Sequence, residues 1–310
     1  MKKIYIILTL TLCLTGGNLF GSQDETGGYP GAFLQGGIGA RAIAMGNSFS
    51  AVADDGTALF WNPAGLPQIN GYEISLMHSM LFEDRAKNYA SLNMPMGNIA
   101  ISGGWLGFNV SKIQERDTQG QLLGHFDDSE NVFFLGAGAG IVNSKYFKLN
   151  IGATGKYFYH SLYDFQATGF GADFGTLLQI RLPVLLRTLS VAGVVQNVNS
   201  SLQWDTESNL EEIIPLTYRV GVLADVALLP FKVTVDLEKH AKQDMRIHAG
   251  AEFSVLNTLF FRAGLNHSKL TAGAGLQLQL MTTRVLVDYA YATDDISENP
   301  LHYFTVGFGF

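Results

Sequence analysis

From Tyr72 to the end of the chain, apolar and polar positions alternate with a period of two. In 269–280, KLTAGAGLQLQL, the residues Leu270, Ala272, Ala274, Leu276, Leu278 and Leu280 share one face. Lys269, Thr271, Gly273, Gly275, Gln277 and Gln279 share the other. The division recurs in 231–238, where Phe231, Val233, Val235 and Leu237 oppose Lys232, Thr234, Asp236 and Glu238. It recurs again in 283–292, TRVLVDYAYA. Successive side chains of an extended strand point to opposite faces, so the pattern predicts strands with one apolar face and one polar or glycine face.

About fourteen such strands are predicted, at 72–82, 86–95, 97–108, 130–142, 146–161, 165–181, 187–199, 214–228, 231–240, 243–255, 258–267, 269–281, 284–294 and 300–310. Many reach ~10 residues, longer than sandwich strands and suited to a tilted bilayer crossing. The polar face carries Asp173, Asp236, Glu238, Arg246, His248, Glu252, Arg262 and Asp288, too many charges for a sealed core. The opposite face is nearly free of charge, as lipid contact requires. The expected fold class is therefore all-β: an antiparallel transmembrane β-barrel spanning 71–310, with outer-membrane lipid around it and a wet lumen inside.

Loop parity agrees with that count. If both ends of the barrel lie on one side, every even-numbered connection should be a short periplasmic turn. Asn143-Ser144-Lys145, Leu229-Pro230, Leu256-Asn257 and Thr282-Thr283 fall there, and the two longest connections, 109–130 and 199–214, fall on the outer side. In the last segment, LHYFTVGFGF, Phe304, Val306, Phe308 and Phe310 share a face. A closing strand must pair with the first, because an open edge in lipid leaves backbone groups unsatisfied. An alternating strand ending in phenylalanine resembles the signal that outer-membrane proteins present to the barrel assembly machinery, a resemblance that singles out Phe304, Phe308 and Phe310.

Composition narrows the setting. Lys2 and Lys3, the apolar run Ile4 to Leu14 and the small residues through Gly21 and Ser22 read as a secretory signal peptide, residues 1–22. The expected location is the outer membrane of a diderm bacterium. The one cysteine, Cys13, lies in this leader, so the processed chain has no disulfide or thiolate chemistry. Charged residues are 15% of the chain, against ~25% in ordinary soluble domains. A net charge of −7 argues against a nucleic-acid partner. After the leader no apolar run reaches the ~18 residues of a membrane-crossing helix.

Residues 23–70 do not alternate, and they read as a helical or loop segment lodged in the lumen. Asp54 or Asp55 is placed to cap the turn starting at Gly56 or Thr57, and a calcium loop is disfavoured because no regular oxygen-ligand series follows. Asn62-Pro63 predicts an extended residue before a fixed corner. Gly37-Ile38-Gly39-Ala40-Arg41-Ala42 lacks the strand and βαβ context of a dinucleotide site. The seven histidines have no metal-ligand spacing and no G-x-S-x-G elbow occurs, so neither a catalytic residue, a metal nor a cofactor is expected. Glu252 and Arg262 lie five residues either side of Asn257, so a hairpin centred there sets them opposite each other inside the lumen.

The segment GARAIAMGNSFSAVADDGTALFWNPAGL, followed by about fourteen strands, resembles FadL-type outer-membrane transporters and their PorV/PorQ-like relatives, with Asn62, Pro63 and Ala64 matching the family's NPA motif. The resemblance implies a hatch, shaped by Asn62, Pro63, Ala64, Asp54 and Asp55, that plugs the barrel. In the transporter branch it implies passive uptake of fatty-acid-like ligands. In the PorV/PorQ branch it implies secretion-system proteins as partners, and a purely structural barrel is a third reading. Phe33, Leu34, Phe49, Phe60 and Trp61 either line a hydrophobic ligand path at this hatch or anchor it against the wall. At 310 residues the chain is shorter than typical fatty-acid transporters.

Overall fold

The computed structural model describes residues 29–82, 84–182, 186–227, 229–241, 243–293 and 299–310. The expected leader, 1–22, and the start of the expected hatch lie outside the described residues. In chain order the strands are β1 (Glu73–Met80), β2 (Arg85–Met96), β3 (Ile99–Arg116), β4 (Leu122–Asn143), β5 (Phe147–Leu162), β6 (Phe165–Arg181), β7 (Leu186–Val198) and β8 (Ser201–Trp204). They continue as β9 (Glu211–Ile213), β10 (Thr217–Val226), β11 (Phe231–His240), β12 (Met245–Val255), β13 (Leu259–Asn266), β14 (Lys269–Leu280), β15 (Thr283–Thr293) and β16 (Pro300–Gly309).

Fourteen of these form the wall. Each pairs antiparallel with its neighbours, β7 passes directly to β10, and β1 pairs with β16 from Glu73↔Gly309 to Met80↔His302, which closes the barrel. The two faces divide as the alternation predicts. On β11, Val233, Val235 and Leu237 point outward while Thr234, Asp236 and Glu238 are buried. Outward-facing Phe133, Tyr157 and Phe170 on β4, β5 and β6 make a contiguous aromatic row, with ring centroids 6.3 and 5.2 Å apart. Such a row marks the level where lipid tails give way to headgroups. No helix among the described residues is long and apolar enough to cross a membrane.

The structure corrects the two long outer connections. Residues 109–130 are not a loop: β3 and β4 run on through them as one tall hairpin with register shifts at Val110/Ile113 and Glu115/Arg116. Above the lipid both faces are wet, so polar residues occupy both and the period-two signal fades. The 199–214 connection contains the ribbon β8–β9, whose Gln203 and Trp204 pair with Thr168 and Ala167 of β6. Leu202 and Ile214 of this connection are buried, so it folds inward across the mouth.

Residues 29–70 fill the lumen with a 3₁₀ turn (Ala32–Gly36), helix α1 (Ala40–Ala44), helix α2 (Ala58–Trp61) and a second 3₁₀ turn (Pro63–Gln68). Most of this segment is buried, and with the inward side chains it forms the molecule's core. The wall makes room by presenting glycine on its inner face. A Cβ at Gly152 would overlap Pro63 and Ala64, one at Gly138 would overlap Pro63, and one at Gly264 would overlap Met45 and Gly46.

Candidate functional site: the hatch and the cavities above and below it

Asn62 organises the motif. It is extended (φ −162°, ψ 103°), as the residue before a proline prefers, and Pro63 opens the second 3₁₀ turn. Its side-chain oxygen accepts from the Ala64 amide at 3.0 Å. Its side-chain amide donates to the Ser50 carbonyl at 2.8 Å and to the Thr176 carbonyl of β6 at 3.2 Å. One residue thus caps a turn, ties two hatch segments and fixes both to the wall. Pro63 and Ala64 are buried against β4 and β5.

The five apolar residues divide. Trp61 Nε1 donates to the Ile38 carbonyl at 2.9 Å, and its ring packs edge-on to Phe60 at 5.1 Å and tilted to Phe49 at 6.3 Å. The Arg219 guanidinium lies 5.0 Å from the Trp61 ring. Phe49 and Trp61 are at most 1% exposed, which is the environment of an anchor. Leu34, Phe60 and Trp61 border a side cavity of only about 30 Å³. Phe33 alone of the five lines a roomy space, stacked on Phe108 with centroids 6.0 Å apart.

The two aspartates separate in role. Asp55 accepts from the Thr57 amide at 2.9 Å and the Thr57 hydroxyl at 2.5 Å, holding the turn that leads into α2. Asp54 instead accepts from Arg41 Nη1 at 2.5 Å. Arg41 also grips Glu252 of β12 with two bonds, Nε to Oε2 at 2.8 Å and Nη2 to Oε1 at 3.1 Å. Glu252 lies opposite Arg262 in the β12–β13 register and accepts from it at 2.7 Å, and Arg262 continues to Asp288 at 2.6 Å. Lys232 stands 3.6 Å from Asp54 and 3.7 Å from Glu252. Burial alone would raise the Asp54 carboxyl, but Arg41 and then Lys232 outweigh it and hold the group below the usual carboxylate range. Burial pushes Asp55 up, and it outweighs the lowering by Arg41.

Further clasps act around the ring. Glu73 accepts from the Gly56 amide and from Arg284, both at 2.7 Å, and Asp236 accepts from the Ser50 amide at 3.0 Å. Arg41 is the member that alternation does not reveal. Its one signal in sequence is a lone cation between small apolar residues, in a segment otherwise fit for burial. The glycines of the inner face follow from the alternation, as at every other position of GAGAG (136–140), but that they serve as seats for the hatch does not.

Above the hatch lies a cavity of about 300 Å³, bordered by Leu81 and Arg85 at the ends of β1 and β2 and by Thr293 and Leu301 at the ends of β15 and β16. Phe33, Ile43, Leu81, Phe108, Leu301 and Tyr303 supply its apolar surface, and Lys87, Arg246, Glu238 and His248 supply polar groups. Below the hatch, on the side of the β2–β3 and β4–β5 turns, lies a polar vestibule of about 430 Å³ lined by Gln68, Asn98, Asn150, Gln179, Lys148 and Arg181. At the seam, Phe304 and Phe310 point outward and the Phe310 amide donates to the Tyr72 carbonyl at 2.8 Å, while Phe308 faces Ile74 of β1 and Val285 of β15.

The architecture is that of a membrane β-barrel with its lumen closed by its own N-terminal segment. No family model and no curated relative matches the sequence. Solved structures do match. The Pseudomonas putida toluene transporter TodX superposes with a TM-score of 0.59 at 11% identity, over 88% of this chain and 96% of that one. The CymD monoaromatic hydrocarbon channel gives 0.56 at 11% identity, over 89% and 98%. A Pseudomonas aeruginosa FadL homologue gives 0.48 at 10% identity, over 85% and 95%. At these identities the likeness to TodX and CymD establishes a shared fold.

Proposed function

We propose that this chain is an outer-membrane barrel for passive uptake of small hydrophobic compounds, fatty-acid-like or monoaromatic in size. The observation that carries the reading is the outer cavity: about 300 Å³ bounded by an apolar patch of Phe33, Ile43, Leu81, Phe108, Leu301 and Tyr303 beside charged groups, with the hatch beneath it and a polar vestibule beyond. A water-insoluble compound partitions onto Phe33, Phe108 and Leu301, and it proceeds only when the hatch yields. TodX and CymD, named for toluene transport and a monoaromatic hydrocarbon channel, share the fold and support this class of cargo. In this reading residues 1–22 direct export, and Phe304, Phe308 and Phe310 present the closing strand to the assembly machinery. The PorV/PorQ-like alternative, with secretion-system partners, rests on the NPA resemblance, and no contact described above favours it.

The test is uptake of labelled toluene and of labelled fatty acid by cells with and without the protein, at matched expression of an unrelated barrel. Faster initial uptake of at least one compound is expected. Equal rates for both would remove the transport reading.

A further inference from the structure

The seven histidines show no metal-ligand spacing along the chain, but barrel register creates one. Glu130 of β4 and His160 of β5 are direct partners across the ladder, and Asp128 lies two residues from Glu130 on the same inner face. One ligating atom from each of Asp128, Glu130 and His160 falls within 4.8 Å of the others. His160 Nε2 is 2.7 Å from Asp128 Oδ1. The inward ribbon adds a fourth group. Trp204 of β8 tilts over the His160 ring with centroids 4.8 Å apart, and its Nε1 donates to Glu212 Oε2 of β9 at 2.9 Å.

Two carboxylates therefore lie against one imidazole, and a third, Glu212, is held next to them by the Trp204 that covers the ring. Among the described residues, the only ion pair any of the three makes is that of Asp128 with His160. Lys87, the cation facing this region from β2, turns its ammonium to the carbonyls of Phe33 at 2.7 Å and Gly37 at 3.3 Å. The side chains of His160 and Asp128 are only 14% and 22% exposed, so the cluster is largely shielded from water.

We propose that Asp128, Glu130 and His160 bind a divalent first-row transition cation of the zinc type, with Glu212 completing the shell from the ribbon. An imidazole nitrogen with carboxylate oxygens is a donor set for zinc, cobalt or nickel, whereas calcium takes oxygen alone. Ligands about 2.1 Å from a tetrahedral ion stand roughly 3.5 Å apart, so side-chain rotation within the observed cluster suffices. Three ligands sit on the rigid wall and one on the ribbon. The cation thereby staples β8–β9 over the mouth, beside Glu130, which also lines the outer cavity. The site goes beyond the uptake reading and stands without it.

The experiment is calorimetric titration of the detergent-purified full chain with Zn²⁺, and with Co²⁺ followed by visible absorption. One equivalent with low-micromolar or tighter affinity is expected, together with the strong visible bands of four-coordinate cobalt. His160→Ala and Glu130→Gln should each weaken binding at least tenfold. Glu212→Gln should weaken it several-fold and abolish the metal-dependent protection of 205–210 from protease. His125→Ala, outside the cluster, should change nothing, and each variant's folding is checked by its heat-modifiable gel mobility. The proposal is overturned if the wild type takes up no Zn²⁺ below about 100 µM. It is equally overturned if His160→Ala binds as the wild type does, or if Ca²⁺ competes at equal affinity.

Discussion

Asn62 concentrates three jobs in one side chain, and the consequences are separable. Asn62→Ala removes a cap, worth about 1 kcal/mol, and strands the Ser50 and Thr176 carbonyls. Exchange of the Ala64 and Leu66 amides should accelerate at least fivefold in hydrogen-exchange measurements while the wall strands stay protected. Asn62→Asp keeps the acceptor for Ala64 and loses both donors, so it should fall between. The aspartates give opposite pH signatures. Asp54 is lowered in the docked hatch, so its contribution is complete above about pH 4 and is lost as pH falls through that lowered value. Asp55 is raised, so its contribution is complete below about pH 4 and is lost as pH climbs through the raised value. Asp54→Asn should therefore make the hatch more protease-sensitive at pH 7. Asp55→Asn, which keeps an oxygen for Thr57, should make it less so. Matching changes in both variants would refute the assignment.

At the scale of elements, strands were readable wherever one face meets lipid and the other the lumen. KLTAGAGLQLQL and FKVTVDLE each declare both faces, and Glu252 and Arg262 declare their own register through the hairpin between them. Legibility stopped where that contrast stops. Above the aromatic row, Lys112, Gln114, His125 and Asp127 are exposed on the outer face and the inner face is only half-buried, so the upper β3–β4 hairpin carried no apolar alternation to read. The hatch was legible as a non-strand and as an Asn-Pro corner, but its docking was not. Its fit depends on Gly138, Gly152 and Gly264, far away in sequence, and on Arg41 reaching Glu252. The upper hairpin contributes little to closure, because the β3–β4 ladder below Val110 already seals that wall. Replacing 113–125 by a two-residue Asn-Gly turn should leave folded gel mobility unchanged and shift the melting temperature by no more than a few degrees. Gly152→Val attacks docking itself. Its side chain must displace Pro63 and Ala64, so trypsin should release hatch fragments while the barrel core persists.

For the whole molecule, the barrel and its hatch have different anchorage. The wall is a continuous ladder whose only seam, β1 with β16, is fully paired. The hatch holds by packing against glycine and by buried charge pairs, and Arg41 carries the densest of these. Arg41→Ala leaves Asp54 and Glu252 facing one another with Lys232 and Arg262 as remaining cations. Removing one partner of a buried pair costs about 3–5 kcal/mol when the other charge is left alone. With Arg262 and Lys232 still beside Glu252 the loss is smaller, about 1.4 kcal/mol or more, which multiplies the undocked population by at least roughly 10. In planar bilayers the wild type should be nearly silent, Arg41→Ala should flicker open, and deletion of 29–69 should conduct steadily. The decisive comparison is the double variant Arg41→Met/Glu252→Gln, which removes the guanidinium and the carboxylate it grips while Arg262 keeps Asp288. If charge pairing is the latch, that variant should be quieter than Arg41→Ala, because the repulsion between Glu252 and Asp54, which Arg262 and Lys232 only partly offset, is removed. If Arg41 acts through bulk alone, Arg41→Met by itself should already be silent and Glu252→Gln should add nothing.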